Sequence, residues 1–309
     1  MTDSVILTED LTKFYGRHRG LVELNLEVRP GEVVGYLGPN GAGKSTTIRL
    51  LLDFIRPTKG RAEIFGKNAR LDSLEIRRNV GYLPGELSAY DGLTGWELLT
   101  YFANLRGGVD WSYAEGLAER LGLDLTRKIR TLSKGNKQKV GLVQAFMAQP
   151  ELLILDEPTG GLDPLVQQEF YRMVREAESQ GQTVFLSSHV LAEVERIADR
   201  VCIIREGLLV LDEEVAALKA KALRQLEIHF TEPAPIEAFR DIPGVREVTV
   251  EGNDLKCSVV GSVDALIKAA SSLRCSTYQA MSLTWRTFSW TTTERAMTLL
   301  NSVLLKTPP

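Results

Sequence analysis

The sequence is poor in the features that would mark several broad classes of protein. It has three cysteines, Cys202, Cys257 and Cys275, with no C-x-x-C among them, and three histidines. That inventory argues against a disulfide framework or a cysteine–histidine metal site and suggests reduced thiols in a reducing compartment. There is no excess of positive charge. Lysine and arginine total 37 against 40 acidic residues, a formal net charge of −3, which gives no support for nucleic-acid binding. Long apolar runs are missing too. The longest, such as Glu151-Leu-Leu-Ile-Leu155, are strand-length, far below the roughly 20 residues of a membrane helix. The start, Met1-Thr2-Asp3-Ser4, lacks the basic and then apolar pattern of a signal peptide. These absences lead us to expect a soluble, cytoplasmic chain whose membrane role, if any, runs through a partner.

What is present is ordinary globular composition, 44% hydrophobic and 25% charged over 309 residues, enough for one large domain and a small one. Short apolar runs alternate with amphipathic segments to about residue 215. Val5–Thr8, Leu24–Val28, Glu32–Leu37, Val80–Leu83, Leu152–Leu155, Thr183–Ser187 and Arg200–Arg205 read as strands. Helices are expected from about Gly43 and over Leu93–Leu105, Trp111–Leu121, Gly135–Ala148, Pro164–Ser179 and Val190–Ala198, with Ser133 at an N-cap. Alternation of this kind predicts a largely parallel sheet covered on both faces. A charged segment, Lys219–Arg224, reads as a linker, placing domains at 1–222 and 223–309. Beyond it the order strand (Leu226–Thr231), helix (Ile236–Phe239), strand (Val245–Val250), strand (Leu255–Val260), helix (Val263–Ser271) predicts a small ferredoxin-like α+β domain. The tail from Cys275, with Trp285 and Trp290, shows little periodicity.

Three motifs carry chemistry. Gly38-Pro39-Asn40-Gly41-Ala42-Gly43-Lys44-Ser45 fits G-x-x-x-x-G-K-S in full, after a buried strand and opening a helix. Its glycines let backbone N–H groups turn toward phosphate oxygens, and the helix N-terminus adds a favourable dipole. Lys44 is expected on the β- and γ-phosphates, Ser45 on Mg²⁺ and Thr46 on the α-phosphate. Second, a buried strand delivers Asp156 to the carboxyl edge of the sheet, where it can hold Mg²⁺, with Glu157 beside it to take a proton from the attacking water. Third is Leu132-Ser133-Lys134-Gly135-Asn136, an N-cap hydroxyl with exposed amides suited to an anion.

Together these residues resemble the ATP-binding-cassette family, and the resemblance spans about residues 4–225. It implies a P-loop NTPase fold of the cassette type: a mostly parallel core sheet, an antiparallel β subdomain and a helical subdomain. Leu132–Gly135 is similar to the family signature, so Ser133 and Gly135 would hold the γ-phosphate of ATP bound to a second copy. Gly160-Gly-Leu-Asp163 resembles the D-loop, with Asp163 facing the partner's phosphate loop. His189 resembles the switch histidine that reaches the γ-phosphate, and Tyr15 the aromatic that stacks on adenine. The wording of the signature and the small C-terminal domain most resemble drug- and polysaccharide-exporter cassettes, implying ATP hydrolysis coupled to transport through a separate polytopic permease, at the cytoplasmic face of the membrane.

The sequence departs from the family in places. Where the family has a glutamine that contacts Mg²⁺, the chain reads Tyr82-Leu-Pro-Gly-Glu86, so Gly85 or Glu86 occupies the place and Glu86 could supply the oxygen. Lys134 replaces the signature's first glycine. Arg286–Glu294 has the look of an acidic, aromatic helix read out of frame. Other readings are a ribosome- or DNA-acting cassette ATPase and an effector-regulated ATPase module. Ribosome-acting types usually carry two cassettes, and DNA-repair types insert long coiled coils between phosphate loop and signature, where this sequence has no sustained heptads. Intact Lys44, Asp156, Glu157 and His189 argue against an inactive cassette.

Overall fold

The computed structural model describes residues 4–87, 91–221, 223–232, 236–260, 263–271 and 275–281. They fall into two units, Met1–Glu214 and Val215–Pro309.

The first unit is built on a six-stranded sheet. Its strands are β3 (Val33–Leu37), β6 (Val80–Leu83), β7 (Leu152–Asp156), β8 (Thr183–Ser188), β9 (Arg200–Arg205) and β10 (Leu208–Glu214), in the order β10-β9-β3-β8-β7-β6. All neighbours pair in parallel except β9 with β10, a two-residue hairpin. β3, β7 and β8 are buried along their whole length. Their continuous apolar reading, Val-Val-Gly-Tyr-Leu and Leu-Leu-Ile-Leu-Asp, is that of strands covered on both faces. A second, antiparallel sheet runs β2-β1-β4-β5, from β1 (Ile6–Tyr15), β2 (His18–Val28), β4 (Lys59–Ile64) and β5 (Lys67–Asn68). Ile6, Leu24, Val28 and Ile64 from that sheet join Val34, Tyr36, Ile154 and Phe185 of the core sheet and Ile48 of α1 (Lys44–Leu51) in one apolar cluster. Each fully buried aliphatic or aromatic side chain there stabilises the fold by about 1.5–3 kcal/mol.

Helices α2 (Ser73–Arg78), α3 (Gly95–Leu105), α4 (Trp111–Arg120) and α5 (Lys134–Phe146) follow, with a 3₁₀ turn at Ile129–Thr131. Thr94 and Glu97 close a capping box on α3, and Asp110 and Ser133 cap α4 and α5. Leu98, Ile129, Leu132 and Val140 form the small core of this helical layer. α6 (Pro164–Ser179) and α7 (Leu191–Ile197) pack on the core sheet beside β8 and β3.

The structure departs from the sequence reading in several places, β5 and α2 among the unexpected elements. β1 and β2 extend well past Val5–Thr8 and Leu24–Val28, into a hairpin whose exposed residues hide the alternation. β4, Lys-Gly-Arg-Ala-Glu-Ile, was not expected. It pairs with β1 despite a glycine and three charges, its apolar content confined to Ala62 and Ile64. β10 was not expected either, because the leucines after Gly207 follow β9 with almost no break. Finally, α8 (Val215–Lys221) precedes β11 (Leu223–Phe230), so Leu223 and Arg224 lie in a strand rather than a linker.

The second unit contains β11, α9 (Glu237–Arg240), β12 (Val245–Glu251), β13 (Asp254–Val260), α10 (Asp264–Ser271) and β14 (Cys275–Met281). The sheet order β12-β13-β11-β14, antiparallel throughout, is the split βαβ arrangement of a ferredoxin-like fold. Phe230, Phe239, Leu255, Cys257 and Leu266 form its core. The first seven residues of the tail, expected to be irregular, form β14. Trp285, Trp290 and Arg286–Glu294 lie outside the described residues. Among the described residues no helix is long and apolar enough to cross a membrane.

Candidate functional site

The carboxyl ends of β3, β7 and β8 lie side by side, because these strands are parallel neighbours. Ligands of open α/β sheets bind at such edges. Each strand ends in a chemically loaded turn: Gly38–Ser45 after β3, Asp156-Glu157 at β7, and Ser188-His189 at β8.

In the first turn, Gly38 N–H donates to the Ser188 carbonyl at 3.1 Å, and a Cβ on Gly38 would meet Ile204 O at 2.4 Å. Gly41 and Gly43 have φ of 79° and 115°, the left-handed region that glycine adopts without strain. Gly43 is the N-cap of α1 with no side-chain cap, so the amides of the first turn stay free of side-chain oxygens. Pro39, Asn40 and Gly41 are exposed at the tip, Ala42 is buried, and Ser45 and Thr46 are half-buried on the first turn of α1.

Lys44 is only 6% exposed, yet its Nζ meets three oxygens: Gly38 O at 2.6 Å, Pro39 O at 3.2 Å and Glu157 Oε1 at 3.1 Å. The other Glu157 oxygen, Oε2, lies 2.7 Å from His189 Nδ1. Glu157 thus bridges the lysine of one turn and the histidine of another. Its backbone sits at φ 49°, a left-handed conformation that costs a non-glycine residue about 1–2 kcal/mol. Asp156 is buried, and its Oδ1 accepts a 2.6 Å bond from Ser187 Oγ. The same hydroxyl accepts from Glu157 N at 3.0 Å. One buried serine therefore orients both acidic residues.

At Gly85, a Cβ would stand 3.5 Å from Asp156 Oδ2, so it is Gly85 whose backbone lies against the aspartate, while Glu86 is exposed. Tyr82, one of the residues before it, is pushed up to about 12 by burial and by the Asp156 charge. Tyr15 ends β1, 44% exposed as a residue, with Lys13 Nζ 5.3 Å from its ring centroid.

Ser133 and Gly135 sit at the start of α5, where Ser133 Oγ accepts from Asn136 N at 3.3 Å. A Cβ on Gly135 would stand 2.4 Å from Gly161 O, so only glycine fits. Asp163 caps α6 by accepting from Leu165 N and Val166 N, with Pro164 at the first helical position.

The geometry brings Lys44, Asp156, Glu157 and His189 together at one edge. A model of the ABC transporter family matches residues 21–160. The bacitracin transport ATP-binding protein BcrA of Bacillus licheniformis is 40% identical over 232 residues, 74% of this chain and 76% of that protein. The chain belongs to the ABC transporter ATP-binding family. Another relative of this cassette is the daunorubicin/doxorubicin resistance ATP-binding protein DrrA of Streptomyces peucetius, 36% identical over 221 residues, 70% of this chain and 67% of that protein. Among solved structures, an ATP-binding subunit of an ABC transporter superposes with a TM-score of 0.65 at 32% identity, covering 70% of this chain and 92% of that one.

Two residues of the cassette site escaped the sequence reading. Ser187 is one; a serine in a buried parallel strand, two positions before His189, was the available signal. Gln138 is the other. Its Nε2 donates to Glu157 O at 3.2 Å and Pro158 O at 3.1 Å, tying the signature helix to the turn that carries Glu157. Nothing in the linear pattern distinguishes it from an ordinary helical glutamine.

Proposed function

We propose that this ATP-hydrolysing ABC transporter subunit drives a separate membrane permease by closing and opening a head-to-tail dimer of itself around ATP. Each site would combine Lys44, Ser45, Asp156, Glu157 and His189 of one copy with Ser133 and Gly135 of the other, and Asp163 would face the partner's phosphate loop. Backbone amides of Gly41 and of Gly43 to Thr46 cradle the triphosphate, Lys44 neutralises its β- and γ-oxygens, and Tyr15 stacks on adenine. Glu157 takes the proton of the attacking water and His189 holds that carboxylate in place. The observation that carries this reading is the Glu157 carboxylate bridging Lys44 and His189 at 3.1 and 2.7 Å.

A magnesium ion fits the donor set, since Asp156 is buried and oriented by Ser187 and the Ser45 hydroxyl is on the first turn of α1. Ser45 and Asp156 would hold it, and Glu86 offers a further carboxylate one residue beyond Gly85. When bound, the ion offsets charge developing on the phosphate oxygens.

The segment from Leu83 to Leu105 joins the strand beside Asp156 to the helical layer carrying the signature, and we assign it the contact with the permease. Export, and a place on the cytoplasmic face of the membrane, are the reading that the likeness to BcrA and DrrA supports, proteins whose names tie them to bacitracin transport and to daunorubicin/doxorubicin resistance. The cassette would occupy residues 1–222 and the ferredoxin-like domain 223–309.

Light scattering tests the dimer. The Glu157→Gln chain with magnesium and ATP is expected to pair, and adding Ser133→Ala is expected to abolish pairing while leaving nucleotide bound to each monomer. Pairing that is indifferent to Ser133 would refute the composite site.

A further inference from the structure

Behind the phosphate loop, three backbone segments cross at glycines. Gly207 N–H donates to Ala42 O at 2.8 Å, and Gly207 O accepts from Val22 N at 2.8 Å. A Cβ on Gly43 would meet Gly20 O at 2.7 Å, Ile204 Cδ1 at 3.1 Å and Gly207 Cα at 3.5 Å. A Cβ on Gly207 would meet Gly20 O at 3.1 Å and Leu21 Cα at 3.2 Å. The loop therefore leans on β2 and on the β9–β10 hairpin through close backbone approaches, with the Ile204 side chain packed beside them.

The hairpin is shaped for this contact. Arg205 pairs with Leu208, leaving Glu206 and Gly207 as a two-residue turn at φ 51° and 80°, both positive as a type I′ turn requires. Glu206 is an unusual choice there, where asparagine or aspartate is favoured, and it reaches back to Arg19 Nη2 at 3.5 Å. Arg19 pairs with Phe14 in the β1–β2 hairpin, next to Tyr15. One turn thus touches both the strand beside Tyr15 and the carbonyl two residues before Lys44.

We propose that the Glu206-Gly207 turn is a positioning element for nucleotide, fixing the phosphate loop against the hairpin that carries Tyr15. This rests on the reading of Gly38–Thr46 as the triphosphate cradle. A side chain at Gly207 strains the turn and pushes Gly20 O toward Gly43, so the loop's amides lose their alignment although no residue touching nucleotide has changed.

The test is equilibrium binding of a fluorescent ATP analogue, and of ADP, to the full chain, beside thermal melting. Gly207→Ala is expected to weaken both nucleotides by about tenfold, the equivalent of a strain near 1.4 kcal/mol. Gly181→Ala is the matched control. Gly181 has φ 82°, with no atom within 4 Å of an added Cβ, in the turn between α6 and β8. It carries similar strain away from the loop and is expected to lower the melting temperature while leaving affinity unchanged. Gly207→Asn tolerates positive φ but keeps the crowding of Gly20 O, and is expected to lose affinity about threefold, which keeps the test open if the alanine variant folds poorly. Wild-type affinity in both Gly207 variants overturns the proposal. Affinity lost in proportion to melting temperature in Gly181→Ala as well would also overturn it. Failure of the underlying reading looks different: the unmutated chain, and not only its variants, would bind no nucleotide.

Discussion

The two ends of the parallel sheet both carry ion pairs, but of opposite character. At the amino end, Arg200 of β9 forks onto Glu32 just before β3, at 2.6 and 3.0 Å, and bonds Asp212 and the Glu27 carbonyl besides. Arg29 N–H closes on the same glutamate at 3.0 Å, and Asp199 accepts from Val33 N at 2.9 Å. Every donor is matched by protein, both Arg200 and Glu32 are largely covered, and these groups ask for nothing more. At the carboxyl end, Lys44, Glu157 and His189 also touch, yet His189 is 53% exposed and Glu157 sits in a strained backbone conformation. These contacts are ones that phosphate oxygens can compete for. Charge at one end serves cohesion; charge at the other, in the function proposed above, is held available for a ligand.

The sharpest way to break this contrast is Glu157→Gln. Loss of a general base is expected to lower ATP turnover by about 10²–10⁴-fold, with ATP still bound and melting almost unaltered. Turnover at the unmutated rate would remove Glu157 from the chemistry. Next comes Lys44→Ala. Removing charge-assisted bonds worth about 1.5–3 kcal/mol should weaken ATP binding on the order of 10–100-fold, measured by calorimetry, with a small effect on folding. A large loss of stability instead would mean that this lysine behaves like the amino-end arginine.

The smallest effect is expected at the amino end, from Glu32→Gln. Burial pushes the Glu32 carboxyl up, but the Arg200 bond, the Arg29 N–H and their charges outweigh it and hold it below the usual carboxylate range. A carboxylate whose folded value is depressed stabilises above its unfolded value, near 4.3, and loses that contribution as pH falls through the folded value. At pH 7 the variant should melt about 2–4 °C lower, roughly 1 kcal/mol, with ATP affinity unchanged, and the gap should close as pH falls below about 4. A gap that persists in acid would detach it from this ion pair.

Sequence revealed these two ends unequally. The turn Gly38–Ser45, the strand end at Asp156-Glu157 and the helix start at Ser133 were legible as structure because each is a contiguous string, and the strands leading to the first two are unbroken apolar runs. β4 was not legible, since a strand that spends half its residues on solvent and a glycine leaves no alternation. Nor were Ser187 and Gln138, whose roles come from partners 31 and 19–20 residues distant. The choice between Gly85 and Glu86 needed the third dimension: the backbone of one lies against Asp156, and adjacent positions in a chain look alike until their directions are known. The Glu32–Arg200 fork, 168 residues apart in sequence, was invisible for the same reason.

The left-handed backbone at Glu157 has a consequence for how this protein can change over generations. Glycine would relax that turn at no steric cost and asparagine at a smaller cost than glutamate, so a position we propose as the proton acceptor drifts downhill, in folding terms, toward residues unable to serve. Selection for robustness and selection for turnover therefore pull this one codon in opposite directions, and a sturdier but idle cassette lies a single substitution away.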